Sequence, residues 1–138
     1  MGILSFLFGA SGANGQEAQF VAESAFLSNL DRQTAMTPEN VQQLRQYGVT
    51  SESELKLEYF FYTNTEAKAR ALSAELEAKE YSVEFGSSAA DSAQFVITGW
   101  TTPITMDTES VVAWSAEMTR LGYEYDCEFD GWGTNPNQ

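Results

Sequence analysis

The segment Leu55–Thr63, which reads LKLEYFFYT, is the most strand-like stretch of the 138-residue chain. It is rich in aromatic residues, which favour extended backbone on a pleated, half-buried surface. Apolar side chains alternate onto both faces, with Leu55, Leu57, Tyr59 and Phe61 on one side and Phe60 and Tyr62 on the other. A strand with two apolar faces is typical of the interior of a sheet. The segment therefore predicts a central strand that is covered at least partly on both sides.

The chain beyond this strand alternates between helical and strand-like patterns. Asn64 and Thr65 can cap a helix over Glu66–Glu80, and Asp107 can cap another that ends at Gly122. The remaining strands are predicted over Tyr81–Phe85, Phe95–Trp100 and Tyr123–Phe129. The resulting order, β-α-β-β-α-β, predicts an α+β fold, namely a ferredoxin-like sandwich with an antiparallel sheet.

Two helices are predicted ahead of this domain. Apolar spacing suits a first helix from Glu17 to about Gln33. A second would start at Thr37-Pro38, where threonine caps and proline fits the first helical position, and would stop at Gly48. The predicted organisation is a flexible N-terminal segment over 1–16, appended helices over 17–50, the ferredoxin-like domain over 51–134 and a tail over 135–138.

The first nine residues, Met1–Gly9, are mostly apolar, and a glycine-rich linker follows them. They are far too few to span a bilayer, and they lack the basic region of a secretory signal. A frayed terminus is the favoured interpretation, and an amphipathic segment that contacts a membrane or a partner is the alternative.

The charge balance is strongly acidic, since 20 acidic residues against 7 basic ones give a net charge of -13. Proteins bind nucleic acid largely by neutralising phosphates with Lys and Arg, so this balance argues against direct contact with DNA or RNA. A basic protein segment would instead be attracted, and its encounter accelerated. Solubility alone is an equally good explanation of the acidity.

Catalytic chemistry has few candidate residues in this chain. There is no histidine, which removes the commonest general base and the usual transition-metal ligand. Cys127 is the only cysteine, so the chain has no internal disulfide, and a reducing cytoplasm fits. Its place in an apolar alternation predicts a buried, inert thiol. We therefore expect a cytoplasmic protein that is not an enzyme and needs no cofactor.

Acidic residues alternate with apolar ones along the last predicted strand. Tyr123, Tyr125, Cys127 and Phe129 would face the core, while the opposite face would carry Glu124, Asp126, Glu128 and Asp130. Adjacent carboxylates would lie about 6.7 Å apart. Three interpretations compete: a solvated face partly neutralised by Lys56, a surface for a basic partner, and a metal or catalytic pair. The last is the weakest, because i,i+2 strand spacing does not readily bring two carboxylates onto one cation.

The segment Asp130-Gly131-Trp132-Gly133 follows this strand. Asp130-Gly131 is a turn signal, and both glycines free the backbone. The Trp132 ring would either plug the end of the sandwich, which is favoured, or stand exposed as a binding anchor. The candidate partner-binding residues are Glu124, Asp126, Glu128, Asp130, Gly131, Trp132 and Gly133.

Three stretches resemble the family of the regulator of ribonuclease E activity B. They are EFDGWGT (Glu128–Thr134), MTPENVQQLRQYGV (Met36–Val49) and LEYFFYT (Leu57–Thr63), and the resemblance extends over about Met36–Thr134. It implies a small, acidic, non-catalytic ferredoxin-like domain. It also implies binding to a basic, largely disordered region of the endoribonuclease E protein, which inhibits RNA processing without contact with RNA. The apolar start and the lack of an acidic tail depart from the family pattern.

Two other classes of function stay open on the sequence. A small enzyme or ligand-binding domain would have a carboxylate-lined pocket between the sheet and the N-terminal helices. A purely structural or immunity-type partner domain would differ only in the proteins it binds.

Overall fold

Residues 18–88 and 93–138 are described by a computed structural model of the chain. The elements in chain order are α1 (Glu23–Arg45), β1 (Glu54–Leu55), β2 (Leu57–Thr63), α2 (Glu66–Ala78), β3 (Glu84–Ser87), β4 (Phe95–Trp100), β5 (Ile104–Thr105), α3 (Thr108–Glu124) and β6 (Glu128–Thr134). The predicted N-terminal segment, including Met1–Gly9, lies outside the described residues. No helix in the described part of the chain is long and apolar enough to cross a membrane.

The predicted central strand is central, because β2 lies between β4 and β6 in a four-stranded sheet. The strand order is β3-β4-β2-β6, and every neighbouring pair is antiparallel. β1 pairs with β5 in a separate antiparallel ribbon of two strands. The molecule is therefore a mixed α+β protein with antiparallel sheets, as the alternation of patterns predicted.

The core fills the space between one face of the sheet and the helices. Leu57, Tyr59 and Phe61 of β2 are fully buried there, with Ile97 of β4 and Phe129 of β6. The same cluster includes leucines of α2 and the apolar stripe of α3, namely Leu72, Leu76, Val111, Trp114 and Met118. Burying side chains of this size supplies most of the favourable free energy of folding.

Two helix starts follow the local capping rules. The Thr65 side chain accepts a hydrogen bond from the Lys68 amide at the start of α2. Asp107 Oδ2 accepts one from the Ser110 amide, 3.0 Å away, at the start of α3. Each contact satisfies an amide that the helix leaves unpaired, so both predicted caps are confirmed.

The prediction of two appended helices is wrong, because α1 is a single helix of 23 residues with Pro38 inside it. Thr37 does not cap. Its hydroxyl lies 2.8 Å from the carbonyl oxygen of Gln33, four residues earlier, and contacts Ser115 of α3. Packing of α1 on α3 also includes the stacked rings of Phe26 and Tyr123, 4.2 Å apart. These tertiary contacts outweigh the local tendency of a proline to start a helix.

The second strand of the sheet starts later than predicted, at Glu84 instead of Tyr81. The helix before it ends with Glu80 in a left-handed conformation, φ 70°, and the Tyr81 amide donates to the Leu76 carbonyl. Tyr81 is thereby directed toward the core, where its hydroxyl accepts a hydrogen bond from Trp114 Nε1. The residues that looked extended therefore form the return from helix to sheet.

Candidate functional site

Half of the predicted acidic strand is helix and turn. α3 continues through Glu124, and β6 starts only at Glu128. Gly122 does not stop the helix. It allows close packing, since an added Cβ would lie 2.9 Å from both the Cys127 carbonyl oxygen and the Phe61 ring. The left-handed residue that ends the turn is Asp126, with φ 58°. The prediction that Glu124, Asp126, Glu128 and Asp130 line one sheet face is therefore wrong.

Asp126 binds within the protein. Its carboxylate accepts hydrogen bonds from the amides of Phe20, at 2.7 Å, and Val21, at 2.8 Å. Lys68 Nζ lies 2.6 Å from Oδ2, and both side chains of this pair are largely shielded. Thr63 donates to the Asp126 carbonyl oxygen. Asp126 thus ties the chain before α1 to the turn between α3 and β6, and its charge is already paired.

Glu124 and Asp130 are exposed, but in different places. Glu124 is the last residue of α3. Asp130 is the extra residue of a bulge, because Phe129 pairs with Phe61 of β2 while the next paired residue, Gly131, is opposite Phe60. Gly131 has φ 144°, a conformation that favours glycine.

The outer edge of β6 is covered by amide side chains of α1. Asn29 Nδ2 donates to the Phe129 carbonyl oxygen at 2.8 Å, and Gln33 Nε2 donates to the carbonyls of Phe129 and Asp130 at 3.4 and 3.3 Å. Both amide residues are buried. An edge strand normally leaves such carbonyls open to another chain, so α1 blocks the edge of the sheet at Phe129 and Asp130.

Trp132 packs at the end of the core. It pairs with Tyr59, which places it on the helix side of the sheet. Its ring meets Trp114 edge to face, with centroids 6.3 Å apart, and its Nε1 donates to Thr37 Oγ1 at 3.4 Å. The ring is half-buried, and its position corresponds to the plug and not to the exposed anchor.

Cys127 is buried, as predicted. Burial raises the pKa of its thiol to about 12, well above the ordinary value, so the thiolate is negligible at neutral pH. A thiol in this state is a poor nucleophile.

The sheet face opposite the helices carries a different group of side chains. This surface, here called the open face, comprises Glu58, Phe60 and Tyr62 of β2, Val96, Thr98 and Trp100 of β4, Glu84 and Gly86 of β3, and Glu128, Gly131 and Gly133 of β6. Most of these residues are half-buried by their neighbours on the sheet. The helices α2 and α3 pack on the other face, and α1 packs on α3 and along the β6 edge.

The side chains of the open face that are charged at neutral pH are all acidic. Glu58, Glu84 and Glu128 belong to it, and Asp130 lies beside it on the bulge. Burial raises the pKa of the Glu128 carboxyl, and the Asp130 carboxylate raises it further, while Arg32 of α1 opposes both. A carboxyl with a raised pKa is one whose charge is incompletely compensated.

A lysine borders this surface at one end. Lys56 and Trp100 help line a shallow hollow of about 240 Å³ beyond the last row of the sheet. The last residue, Gln138, lies next to the same region, because its side-chain amide forms hydrogen bonds with the backbone of Lys56. The sequence had placed Lys56 near the acidic surface, and the structure places it at the margin.

The sequence indicated part of the open face without assembling it. Phe60 and Tyr62 were recognised as the second apolar face of the central strand, whereas Trp100 was predicted only as the end of another strand. Glu58 and Glu84 were missed, because single acidic residues in short strands give no pattern. What unites them is the strand pairing, in which Glu58 is opposite Trp100 and Tyr62 is opposite Glu128.

The other predicted classes of site find little support among the described residues. The hollow between α1 and β6 has a volume of about 200 Å³ and no carboxylate in its lining, which consists of Asn40, Gln43, Leu44, Tyr47, Trp132, Gly133 and Thr134. Within residues 18–88 and 93–138, no group of three or more Cys, Asp or Glu residues could hold a metal ion.

One comparison with known proteins identifies the group to which these features belong. The family model described as Regulator of ribonuclease activity B matches residues 34–134. The matched region starts inside α1 and ends at the last residue of β6, so it includes every strand and both helices that cover the sheet. No curated protein matches the chain.

Proposed function

The chain belongs to the Regulator of ribonuclease activity B family, and on that premise we propose that it inhibits an endoribonuclease E-like enzyme by binding it. The family regulates ribonuclease activity. In this proposal a basic segment of the enzyme lies on the open face. The protein acts in the cytoplasm, without catalysis of its own and without direct contact with nucleic acid.

One observation carries this proposal: no helix of the described residues covers the open face, and its side chains that are charged at neutral pH are all carboxylates. Its rings offer apolar area to a partner, and its carboxylates favour a cationic one. The acidic surface of the original prediction is thereby replaced by a different one, which keeps Glu128, borders on Asp130 and omits Glu124 and Asp126.

The net charge of the whole molecule also favours a positively charged partner. A net charge of -13 attracts basic chains over long distances and repels phosphate backbones. Regulation of a ribonuclease then follows from occupation of the enzyme and does not require competition for RNA.

We also propose that the fold is ferredoxin-like. The order of β2, α2, β3, β4, α3 and β6 follows β-α-β-β-α-β, and the sheet is antiparallel with α2 and α3 on one face. In this view α1 and the ribbon of β1 and β5 are additions to that sandwich.

The test is a charge-neutralised variant, Glu58→Gln with Glu84→Gln and Glu128→Gln. Exposed ion pairs contribute roughly 0.2–1 kcal/mol each, so the three changes together should weaken binding by about tenfold. The measurement is calorimetric titration with the basic, disordered region of an endoribonuclease E at several salt concentrations. The salt dependence of the affinity should become shallower in the variant.

The matched control removes the same charge elsewhere, by Asp31→Asn, Glu39→Gln and Glu109→Gln on exposed positions of α1 and α3. It should bind as the unmodified protein does, apart from a small effect of net charge. Equal losses in both variants would show that total charge matters and the open face does not. Unchanged binding of the open-face variant would overturn the proposal.

A further inference from the structure

Resting on the proposed function, we propose that the open face selects arginine over lysine in the segment it binds. Two pairs of side chains bind the guanidinium groups. Each pair consists of one aromatic ring and one carboxylate. The first pair is Trp100 with Glu58, and the second is Tyr62 with Glu128. Phe60 lies between them and takes an apolar side chain.

Strand register creates both pairs. Glu58 and Trp100 are direct cross-strand partners between β2 and β4, and Tyr62 and Glu128 are direct partners between β2 and β6. Partners of this kind share a face, with Cβ atoms about 4.5–5.5 Å apart. Each pair therefore places a carboxylate and a ring next to each other on the same face, within reach of one ligand group.

A guanidinium fits such a pair better than an ammonium group. It is flat, so it can stack on the ring while its in-plane N–H groups donate to the neighbouring carboxylate. Lysine carries a compact, strongly hydrated charge that cannot make both contacts with the same geometry.

The protein already contains this combination on another surface. The guanidinium carbon of Arg70 lies 5.4 Å from the centre of the Phe85 ring, and Arg70 is also paired with the Glu66 carboxylate. On the open face a ring and a carboxylate are present in two places. Lys56 borders the first pair and Arg32 acts on Glu128 of the second, but among the described residues neither forms an ion pair with Glu58 or Glu128.

Glycines leave room beside the rings. Gly131 lies opposite Phe60, and Gly133 lies opposite Glu58. An added Cβ at either position would meet nothing within 4 Å. At these two positions β6 carries no side chain that would block the open face. A ligand side chain can therefore approach the rings from the β6 side.

The separation of the pairs sets a spacing for the ligand. Glu58 and Tyr62 are four residues apart on β2, which corresponds to about 13 Å of extended chain. An extended segment with arginines four residues apart, and an apolar residue midway, matches both pairs. An α-helical segment with the same spacing would bring its arginines only about 6 Å apart along the axis.

The experiment compares two synthetic peptides of equal charge, one with arginines at positions i and i+4 and one with lysines there. Binding to the full chain is measured by fluorescence anisotropy. The arginine peptide should bind about fivefold or more tightly. In the double variant Trp100→Leu and Tyr62→Leu this preference should fall to about one, while Tyr62→Phe, which keeps the ring, should retain it. Tyr47→Leu, which removes an exposed ring outside the open face, should leave the preference unchanged.

The arginine inference is overturned if the two peptides bind the unmodified protein with equal affinity. The proposed function stays intact in that case if neutralisation of Glu58, Glu84 and Glu128 still weakens binding. Failure of both peptides and of the ribonuclease region to bind would reject both. Occupation of the face by a second copy, seen as ring-dependent dimerisation in ultracentrifugation, would overturn the inference. So would peptide binding that appears only after residues 1–17 are removed. Circular dichroism of each variant verifies that the fold is retained.

Discussion

At Gly99 the lack of a side chain lets β4 pass close to the connector before β3. An added Cβ would lie 1.8 Å from the Ser82 carbonyl oxygen and 2.5 Å from the Tyr59 hydroxyl. That hydroxyl donates to the same carbonyl oxygen at 2.6 Å, in a partly buried contact. The backbone at Ser82 cannot move away without breaking this bond and the one from the Ser82 amide to the Trp100 carbonyl.

Gly99→Ala should therefore destabilise the protein by more than about 2 kcal/mol, through steric displacement of the Ser82 backbone and the buried Tyr59 side chain. Urea unfolding measures the loss. Gly86→Ala is the matched control in the neighbouring strand, because a Cβ there meets nothing within 4 Å. A loss at position 99 no larger than that at position 86 would contradict the explanation.

Single residues were predictable where their partners are close in sequence. Asp107 accepts from Ser110, three residues on, so a local rule identified its role. Asp126 accepts hydrogen bonds from the amides of Phe20 and Val21, more than a hundred residues away, and no local sequence pattern predicts such bonds. It was read as a strand residue because an alternating sequence also fits the end of a helix followed by a turn.

Between elements, Asp126 and Lys68 form the junction that joins the start of α1, the start of α2 and the turn before β6. Lys68 Nζ also donates to the Ala18 carbonyl and to Asn64 Oδ1. The side chains of Lys68 and Asp126 are only 14% and 21% exposed, so loss of one charge leaves the other poorly solvated.

Asp126→Asn isolates the charge at this junction, since asparagine tolerates the left-handed backbone. We expect a loss of about 1–3 kcal/mol in the free energy of unfolding, with faster hydrogen exchange at the amides of Phe20 and Val21. Glu66→Gln breaks the exposed pair with Arg70 and should cost under about 0.5 kcal/mol. If the two variants lose equal stability, the junction is not the support described above.

Element boundaries were less predictable than element types. The order of strands and helices follows from apolar periodicity, which registers the burial of whole faces. The ends were misplaced where tertiary contacts decide, as at Pro38 inside α1 and at Gly122 inside α3. Proline commonly starts or breaks a helix, and glycine commonly ends one. Packing against a neighbouring element overrides both tendencies here.

For the whole molecule, the large net charge makes the folded state repel itself. Seven basic residues cannot balance 20 acidic ones, and only a few close ion pairs are formed among the described residues. Folding concentrates this charge, whereas unfolding spreads it over a larger volume.

Added salt should therefore raise the midpoint of thermal unfolding, by a few degrees between about 20 and 300 mM sodium chloride, because screening relieves the repulsion. The measurement is calorimetry at neutral pH. The open-face variant with three glutamines, being less charged, should show a smaller rise. A midpoint that falls with salt would mean that attractive pairs outweigh the repulsion.

The candidate surface illustrates the limit of prediction at this scale. The acidic character, the central strand and its second apolar face could all be read from the residues. The surface itself depends on which strands are neighbours and in what register, and those pairings join residues from four separate segments. Long-range pairing of this kind is invisible to a local pattern.

The two amides that α1 places along β6 have a consequence for copies of the protein meeting one another. β6 spans seven residues, long enough to template a strand from a second molecule. Asn29 and Gln33 already occupy the Phe129 and Asp130 carbonyls on that edge, so pairing of two sheets edge to edge is obstructed there. Molecules of this protein are therefore hindered from joining their sheets into fibres through β6, the longer of the two edge strands of the four-stranded sheet.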